Sequence, residues 1–203
     1  MIKKPQKTIK RVLDCLFSFL ALLILSPIFL VFAILIKLDS RGSVFFKHER
    51  IGENCKPFYP FKFRTMKEGS IKEGLGYNIA EEDRRITKMG KFLRMWGLDE
   101  LPQLINVLRG EMSLVGPRPT FRYQVERYND FQKKRLSVRP GITGWALIHG
   151  RNLLSWEERI KYDVWYVENW SLWLDFKILL KTIIIVLLRR GIYGKEGIND
   201  PFN

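Results

Sequence analysis

The 203-residue sequence predicts an α+β fold that is mainly helical. We expect an N-terminal re-entrant membrane helix hairpin (residues 1–40), followed by a small domain (residues 41–203) with a short β-hairpin and interfacial amphipathic helices. Three patterns support this prediction. Residues 15–36 carry no charged side chain, residues 43–66 hold two short segments of strand-forming residues, and leucine or isoleucine recurs every three or four positions between residues 98 and 108.

The charge balance favours a polyanionic partner. The chain has 35 Lys and Arg against 21 Asp and Glu, a formal net charge of +14. Nucleic acid, an anionic membrane face and a phosphorylated substrate are the partners that such a charge attracts. Cys15 lies in an apolar run and Cys55 in a polar segment, so no disulfide framework is predicted and a reducing compartment is favoured. His48 and His149 lack the spacing of zinc ligands.

The uncharged N-terminal run would extend about 33 Å as a helix, which is enough to cross a bilayer. Its length and the absence of a small-residue cleavage site argue against a secretory signal peptide. A single spanning anchor is the simplest alternative. However, Lys and Arg flank both ends of the run, and these residues favour the cytoplasmic side.

Ser26-Pro27 lies at the middle of this run. Proline removes a backbone donor and kinks a helix, and the serine hydroxyl can bond the freed carbonyl. We therefore predict a re-entrant hairpin with both flanks on the cytoplasmic side. Asp14 would then lie at the headgroup level and pair with Lys10 or Arg11.

Two short strands are predicted next, at residues 43–47 and 61–66. In the second strand aromatic and basic residues alternate, so Lys62 and Arg64 would share one face, with Phe61 and Phe63 on the other. Two cations on one face could form a phosphate cradle; a solvated edge strand is the alternative.

A charged segment then leads into a helix that includes Arg94. Its candidate substrate contacts are Asp83, Arg85 and Thr87. A charged helix start without contact to substrate is the alternative interpretation.

The acidic pair Asp99-Glu100 stands at the predicted start of an amphipathic helix that Gly110 ends. In the structural interpretation, Asp99 is the N-cap and Glu100 complements the helix dipole. In the functional interpretation, the helix N-terminus attracts a phosphate and Asp99 attacks phosphorus to form an acyl phosphate. A divalent cation such as Mg²⁺, held by Asp99 and Glu100, would then bridge carboxylate and phosphate.

The segment Pro117-Arg118-Pro119 places an arginine between two prolines. The prolines restrict the backbone, which lowers the entropy cost of presenting a planar, bidentate phosphate binder. A surface arginine in a rigid loop is the alternative. We predict phosphate binding by Arg118.

Six motifs occur in the order seen in the bacterial sugar transferases, and the chain resembles the small monotopic phosphoglycosyl transferases of the PglC type. The resemblance extends from about residue 10 to residue 197. Its motifs are Ser26-Pro27, Lys62-Phe63-Arg64-Thr65-Met66, Asp83-x-Arg85-x-Thr87, Leu98-Asp99-Glu100-Leu101-Pro102-Gln103-Leu104, Ser113-Leu114-Val115-Gly116-Pro117-Arg118-Pro119 and Arg139-Pro140-Gly141-Ile142-Thr143-Gly144-Trp145.

The resemblance implies a membrane enzyme on the cytoplasmic face of the bacterial inner membrane. Such enzymes move a sugar 1-phosphate from a UDP-sugar to a polyprenol phosphate, and UMP leaves first. By the same resemblance, Asp99 is the covalent nucleophile at Mg²⁺ with Glu100 beside it. Arg118 holds phosphate, Arg94 belongs to the same site, and the Ser-Pro pair makes the re-entrant hairpin.

The sequence departs from the family pattern at several positions. Gly97 replaces a frequent serine, and Leu147 stands where the family often has glutamine. His149 could substitute for that glutamine, or be a packed loop histidine. The tail Tyr193-Gly194-Lys195-Glu196-Gly197 resembles relatives that use N,N′-diacetylbacillosamine.

The C-terminal part is rich in aromatic residues between positions 156 and 173, which suits either a membrane interface or core packing. Residues 178–188 are apolar but too short to span a bilayer. Because Arg189-Arg190 follows them, we predict an interfacial helix that faces anionic lipid.

The sequence thus predicts a ping-pong phosphoglycosyl transferase with a UDP-sugar donor, an undecaprenyl phosphate or related polyprenol phosphate acceptor, Mg²⁺ and membrane lipids as partners. Two alternatives stay open. One is a membrane-anchored basic domain that binds nucleic acid or anionic lipid without catalysis, although we expect no nucleic acid partner. The other is direct glycosyl transfer with Asp99 only as a metal ligand. The oligomeric state is open.

Overall fold

The computed structural model describes residues 4–70, 80, 82–189, 191, 192 and 194. Within these residues the chain is mostly helical with small two-stranded sheets, as predicted. The helices are α1 (Lys4–Asp39), α2 (Lys88–Met95), α3 (Leu104–Arg109), α4 (Arg122–Val125), α5 (Asp130–Lys133), α6 (Trp145–His149), α7 (Trp156–Glu168) and α8 (Leu172–Leu187). Short 3₁₀ helices connect several of them. The tail 193–197, apart from residue 194, lies outside the described residues.

Helix α1 is continuous through Pro27. Ser26 Oγ donates to the carbonyl of Leu23 at 2.9 Å, which is the carbonyl that the proline leaves without an N–H donor. The predicted serine bond is therefore confirmed. The division into the two helices of a hairpin is not observed, because the hydroxyl compensates for the missing donor and the helix continues to Asp39.

One stripe of α1 packs on the rest of the chain. Asp14, Ser18, Phe32 and Ile36 are buried on this stripe, at helical spacing. Most other apolar residues of the helix are exposed, and α1 is long and apolar enough to cross a membrane. A surface this apolar is unfavourable in water and suits contact with lipid.

Both ends of α1 are tied to the same domain. Near the N-terminus, Arg11 donates to the carbonyls of Val107 and Leu108 at 2.5 and 3.0 Å, at the end of α3. Near the C-terminus, the Asp39 carboxylate accepts from the backbone N–H of Met89 at 2.8 Å. Both ends of α1 therefore lie against the same domain.

A buried polar network also holds the N-terminal part of α1. Lys10 Nζ lies 3.8 Å from Asp14, which confirms the predicted pairing with Lys10, and donates to Asp175 of α8 at 2.6 Å. Asp14 accepts from Ser113 Oγ at 2.7 Å. Asp175 also accepts from the buried Tyr166 hydroxyl at 2.7 Å. These contacts join α1, α8 and the strand that begins at Ser113.

The predicted β-hairpin is present, with shorter strands than expected. Strand β1 (Phe45–Phe46) pairs antiparallel with β4 (Lys62–Phe63), and β2 (Arg50–Ile51) pairs antiparallel with β3 (Pro57–Phe58) inside it. Phe63 is buried and meets Phe29 and Phe32 of α1 edge-to-face, with ring centroids 5.2 and 5.9 Å apart. The hairpin is therefore fixed against α1, with Lys62 facing away from that contact toward the acidic pair.

A parallel pair, β5 (Ser113–Val115) and β6 (Gly141–Thr143), joins the last two sequence motifs. A Cβ atom on Gly116 would lie 2.4 Å from the Arg139 carbonyl oxygen, and one on Gly141 would lie 2.1 Å from the Gly116 nitrogen. The backbones thus approach more closely than any side chain allows. This contact fixes the loop that carries Arg118.

Helices α7 and α8 pack through a core in which Tyr166, Leu174 and Ile178 are buried. Trp173 of α8 is 62% exposed, so the aromatic-rich segment supplies both core and surface residues. The outer face of α8 is also apolar and exposed, at Phe176, Leu180, Ile183, Ile184 and Leu187. A helix buried on one side and apolar on the other is expected at a membrane interface.

Candidate active site

The acidic pair lies in a 3₁₀ helix, Leu98–Gln103, between α2 and α3. Gly97 is the N-cap, with φ 65° and ψ 17°, a left-handed conformation that favours glycine. The prediction that Asp99 is the N-cap is therefore wrong, because the sharp turn at Gly97 starts the helix earlier and places both carboxylates in its first turn. Gly110 ends α3 with φ 83°, as predicted.

Glu100 joins three separate segments of the chain. Its Oε1 accepts from Lys62 Nζ at 2.6 Å and from Arg118 Nη2 at 2.8 Å, and its Oε2 accepts from Arg118 Nη1 at 3.3 Å. Burial alone would raise the pKa of Glu100, but Arg118 and then Lys62 hold it well below the ordinary value. Glu100 is therefore ionised and committed to these two cations.

Asp99 differs from its neighbour. Within the described part of the chain, its carboxylate makes no hydrogen bond or ion pair. Burial, and next the charge of Glu100, raise the pKa of Asp99, whereas Lys62, Arg94 and Arg118 oppose the rise. Asp99 is thus a positioned carboxylate with cations around it and no partner among the described residues, which suits a nucleophile or a metal ligand.

Two contacts that the sequence did not indicate position the cations. The fully buried Asn106 of α3 accepts from the backbone N–H of Phe61 at 2.8 Å and so fixes the residue before Lys62. Arg94 Nε donates to Thr65 Oγ1 at 2.7 Å. Gly90 permits this approach, since a Cβ there would lie 2.0 Å from the Thr65 carbonyl oxygen.

Arg64 and Arg85 are directed elsewhere. Arg64 is buried, and its Nη2 donates to the carbonyl and hydroxyl of Ser40 at 2.7 and 3.0 Å. Arg85 donates to Asp83 at 2.6 to 3.1 Å and to the Ser70 carbonyl at 3.3 Å. The predicted cradle of Lys62 and Arg64 is therefore not formed, because residue 64 lies beyond β4 and its side chain binds the end of α1.

The start of α2 follows the structural alternative. Thr87 Oγ1 accepts from the Gly90 N–H at 3.0 Å and caps the helix. The bidentate contact with Arg85 also lowers the pKa of Asp83. All three motif residues, Asp83, Arg85 and Thr87, thus have partners within the protein.

The Pro-Arg-Pro loop presents its arginine as predicted. Pro117 is buried, Pro119 is half-buried and the Arg118 side chain is 46% exposed. The carbonyl of Arg118 accepts from Arg135 Nη2 at 2.8 Å. The loop is therefore anchored through its backbone while the guanidinium reaches Glu100.

A buried ion pair that the sequence analysis missed supports this loop. Arg135 Nη2 donates to Asp163 Oδ2 at 2.5 Å, and the two side chains are 1% and 2% exposed. Burial raises the pKa of Asp163, and the ion pair with Arg135 opposes that shift. One signal was available: Asp163 falls beside Ile160 and Val164 on the buried face of α7, where a lone carboxylate requires a partner.

Arg151 is a second omission. It lines a cleft together with Arg118, Asn152, Trp156 and Arg159, and we call this cleft the arginine cleft. Its volume is ≈ 580 Å³, counting the solvent space at its mouth. Arg151 Nη2 lies 3.7 Å from the position of a Cβ on Gly97, directly beside the acidic turn. Burial lowers its pKa, and the charges of Glu100 and Asp99 oppose that effect. No sequence spacing connects residue 151 to residue 99, so only the folded chain brings them together.

The sequence model of the bacterial sugar transferase family matches residues 5–189. This chain belongs to the bacterial sugar transferase family. The predicted family is thus confirmed, and the protein is an enzyme of the sugar transferase class.

Several curated bacterial sugar transferases and related proteins are similar over most of the chain. The uncharacterized sugar transferase EpsL of Bacillus subtilis is 45% identical, over 91% of this chain and 90% of EpsL. The exopolysaccharide production protein ExoY of Sinorhizobium fredii is 44% identical, over 91% and 88%. The undecaprenyl-phosphate galactose phosphotransferase of Salmonella typhimurium is 40% identical, over 95% of this chain but 43% of that protein.

The structure explains one departure from the bacterial sugar transferase pattern, Gly97, and shows where His149 and Leu147 lie. Gly97 suits its left-handed backbone better than a serine would. His149 Nδ1 lies 2.8 Å from the Trp145 carbonyl oxygen, and its ring stacks on Tyr162 with centroids 4.9 Å apart. His149 is therefore an exposed residue at the end of α6 that stacks on an aromatic ring, and the predicted loop position is wrong. Leu147 lines the arginine cleft beside Arg151.

Proposed function

We propose that this chain is a polyprenyl-phosphate sugar-1-phosphate transferase. It moves a sugar 1-phosphate from a UDP-sugar to a polyprenol phosphate such as undecaprenyl phosphate, releases UMP, and so initiates polysaccharide or glycoconjugate synthesis. The observation that carries the proposal is the division of labour in the acidic pair: Glu100 is neutralised by Lys62 and Arg118, whereas Asp99 has no partner among the described residues.

The names of relatives support the substrate class. Relatives from Salmonella typhimurium and Aeromonas hydrophila are named undecaprenyl-phosphate galactose phosphotransferase and UDP-N-acetylgalactosamine-undecaprenyl-phosphate N-acetylgalactosaminephosphotransferase. This chain spans less than half of each. We propose that it carries the same kind of reaction because these matches cover 95% and 90% of this chain.

The proposed reaction has two half-reactions. Arg118 and Arg94 hold the donor diphosphate against the 3₁₀ helix that carries Asp99. An Asp99 carboxylate oxygen attacks the sugar-bearing phosphorus, the bond from that phosphorus to the bridging oxygen breaks, and UMP leaves with the electron pair. A phosphate oxygen of the polyprenol phosphate then attacks the aspartyl phosphosugar. The lipid diphosphate sugar leaves and the Asp99 carboxylate is restored.

The acidic pair also fits a Mg²⁺ ion that takes most of its ligands from substrate and water. Among the described residues there is no cluster of three or more metal-ligating side chains, but Mg²⁺ typically uses only one or two carboxylates plus phosphate oxygens. Asp99 would hold the ion, since Glu100 is committed to Lys62 and Arg118. When bound, Mg²⁺ would reduce the electrostatic repulsion between the Asp99 carboxylate and the substrate phosphate.

The exposed apolar surfaces support membrane association. We propose that α1 inserts without carrying either end across the bilayer, so that the chain is monotopic and its domain lies on the cytoplasmic face of the inner membrane. The ties at Arg11 and Asp39 support this topology, because a helix that crossed the bilayer would separate one end from the domain. A phosphate carried by a membrane lipid would then reach the same surface as the acidic pair.

The test is a single half-reaction. Purified protein in nanodiscs receives a panel of UDP-sugars with Mg²⁺ and without acceptor. We expect about one equivalent of UMP per active site and a sugar-phosphate mass adduct on the peptide that contains Asp99. The isosteric Asp99→Asn variant should give neither, and chelation of Mg²⁺ with EDTA should abolish UMP release from the wild-type protein until Mg²⁺ is restored.

Each alternative predicts a different result. Release of UDP would indicate direct glycosyl transfer. Turnover with polyprenol phosphate but no UMP and no adduct in its absence would contradict the covalent intermediate. Absence of turnover with every nucleotide sugar, together with salt-sensitive binding of nucleic acid or lipid, would indicate a binding domain.

A further inference from the structure

The arginine cleft defined above lies beside the acidic turn and has residues of two kinds. Arg118 and Arg151 lie at the end near the acidic pair. Asn152 precedes α7, and Trp156 and Arg159 belong to its first two turns. A cleft with cations at one end and an aromatic ring in its wall has the mixed lining of a small-ligand site.

Arg151 is held in an unusual backbone conformation. Its φ is 53°, a left-handed value that is rare for a residue with a side chain. Neighbouring contacts maintain it: Asn152 Nδ2 donates to the Ile192 carbonyl at 2.6 Å, and the Asn152 N–H donates to the Gly191 carbonyl at 3.3 Å. A strained residue that is fixed from both sides is a common feature of ligand sites.

Among the described residues, no carboxylate forms an ion pair with the Arg151 guanidinium. In the part of the chain that the structure describes, the guanidinium makes no hydrogen bond or ion pair, although it lies beside Gly97 and interacts electrostatically with Glu100 and Asp99. Glu100 is already shared by Lys62 and Arg118. Among the described residues, the Arg151 guanidinium therefore retains its hydrogen-bond donors for a bound anion.

The other wall of the cleft favours a nucleotide over a simple phosphate. The indole of Trp156 offers a flat apolar surface of the kind on which nucleobases stack. Arg159, whose guanidinium lies 5.1 Å from the centroid of that ring, keeps the indole in place through its Nε bond to the Leu154 carbonyl at 3.0 Å. Inorganic phosphate would use the cations alone, whereas a nucleotide would use both the cations and this wall.

We propose that the arginine cleft holds the nucleoside monophosphate half of the donor, with Arg151 as the residue that binds its phosphate. The inference rests on the proposed function, since it assigns a place to the leaving UMP. The leaving phosphate then gains negative charge beside a guanidinium that forms no ion pair among the described residues, which favours departure from the sugar-bearing phosphorus.

The test uses UMP itself as the probe. Arg151→Asn removes the guanidinium while keeping a residue type that tolerates the left-handed backbone. Arg122→Gln is the matched control, because Arg122 is an exposed arginine on α4 that pairs with Glu49. UMP binding by calorimetry in nanodiscs should weaken about 10- to 100-fold in Arg151→Asn, the loss expected for charge-assisted hydrogen bonds, and stay unchanged in Arg122→Gln.

Kinetics separate the nucleotide from the lipid phosphate. The KM for the UDP-sugar should rise in Arg151→Asn, while the KM for the polyprenol phosphate should not. Unchanged UMP binding would overturn the proposal, and an equal rise in both KM values would overturn it by showing a phosphate site that donor and acceptor share. If wild-type protein binds UMP in an Arg151-dependent way but releases none from any UDP-sugar, the proposed function fails while the nucleotide cleft stands.

A measurement on the wild-type protein keeps the proposal testable if the variant does not fold. UMP should protect Arg151 from modification by phenylglyoxal, detected by peptide mass spectrometry. Polyprenol phosphate should not protect it. Modification of Arg151 at the same rate with and without saturating UMP would overturn the assignment.

Discussion

The Asp163→Asn substitution tests whether the buried ion pair behind the Pro-Arg-Pro loop stabilises the fold and positions Arg118. The substitution preserves the shape of the side chain but leaves the Arg135 guanidinium buried, 1% exposed, without its carboxylate. Loss of one partner of a buried pair costs about 3–5 kcal/mol. For a domain of this size, each kcal/mol lowers the Tm by about 2–4 °C, so we expect a decrease of roughly 6–20 °C.

The chain supplies a matched control for this prediction. Lys134 and Glu168 connect the same two segments as Arg135 and Asp163, with a 2.7 Å contact between side chains that are 52% and 49% exposed. An exposed pair of this kind contributes about 0–1 kcal/mol. Glu168→Gln should therefore lower the Tm by no more than about 4 °C.

Thermal unfolding in nanodiscs and the UMP-release assay together complete the test. In the double variant Arg135→Met with Asp163→Leu, apolar side chains replace both charges, so much of the lost stability should return. Activity should nevertheless be low, because Arg135→Met removes the donor to the Arg118 carbonyl. The prediction would be contradicted if Asp163→Asn and Glu168→Gln lowered the Tm equally. Full activity in the double variant would contradict the positioning role of Arg135.

Two further predictions concern the nucleophile and the membrane segment. The pKa of Asp99 lies above its ordinary value, so UMP release should fall as the pH drops through that raised pKa. Arg94→Gln removes a positive charge that lowers the pKa of Asp99, so the acidic limb of the pH profile should move to higher pH. An unchanged profile would contradict the role of Arg94. With both native cysteines replaced, Lys7→Cys and Arg41→Cys should react with an impermeant thiol reagent from the same side of the membrane in inverted vesicles, whereas labelling from opposite sides would show that α1 spans.

Features that depend only on neighbouring residues follow from the sequence alone. The Ser26 bond to a freed carbonyl follows from the proline that comes next, and the end of α3 follows from Gly110. The presentation of Arg118 follows from the prolines on either side. In each case the physical cause is local backbone chemistry, which a short window of sequence contains in full.

Which charged side chains meet depends on the folded chain. Arg64 and Arg85 matched phosphate-binding motifs but found partners at Ser40 and Asp83, whereas Arg151 matched no pattern and lies beside the acidic turn. A side chain's type and spacing define the chemistry it can offer. Its partner depends on segments far away in sequence, such as the close glycine contacts that join β5 to β6, and those long-range contacts leave no periodic signal in a single chain.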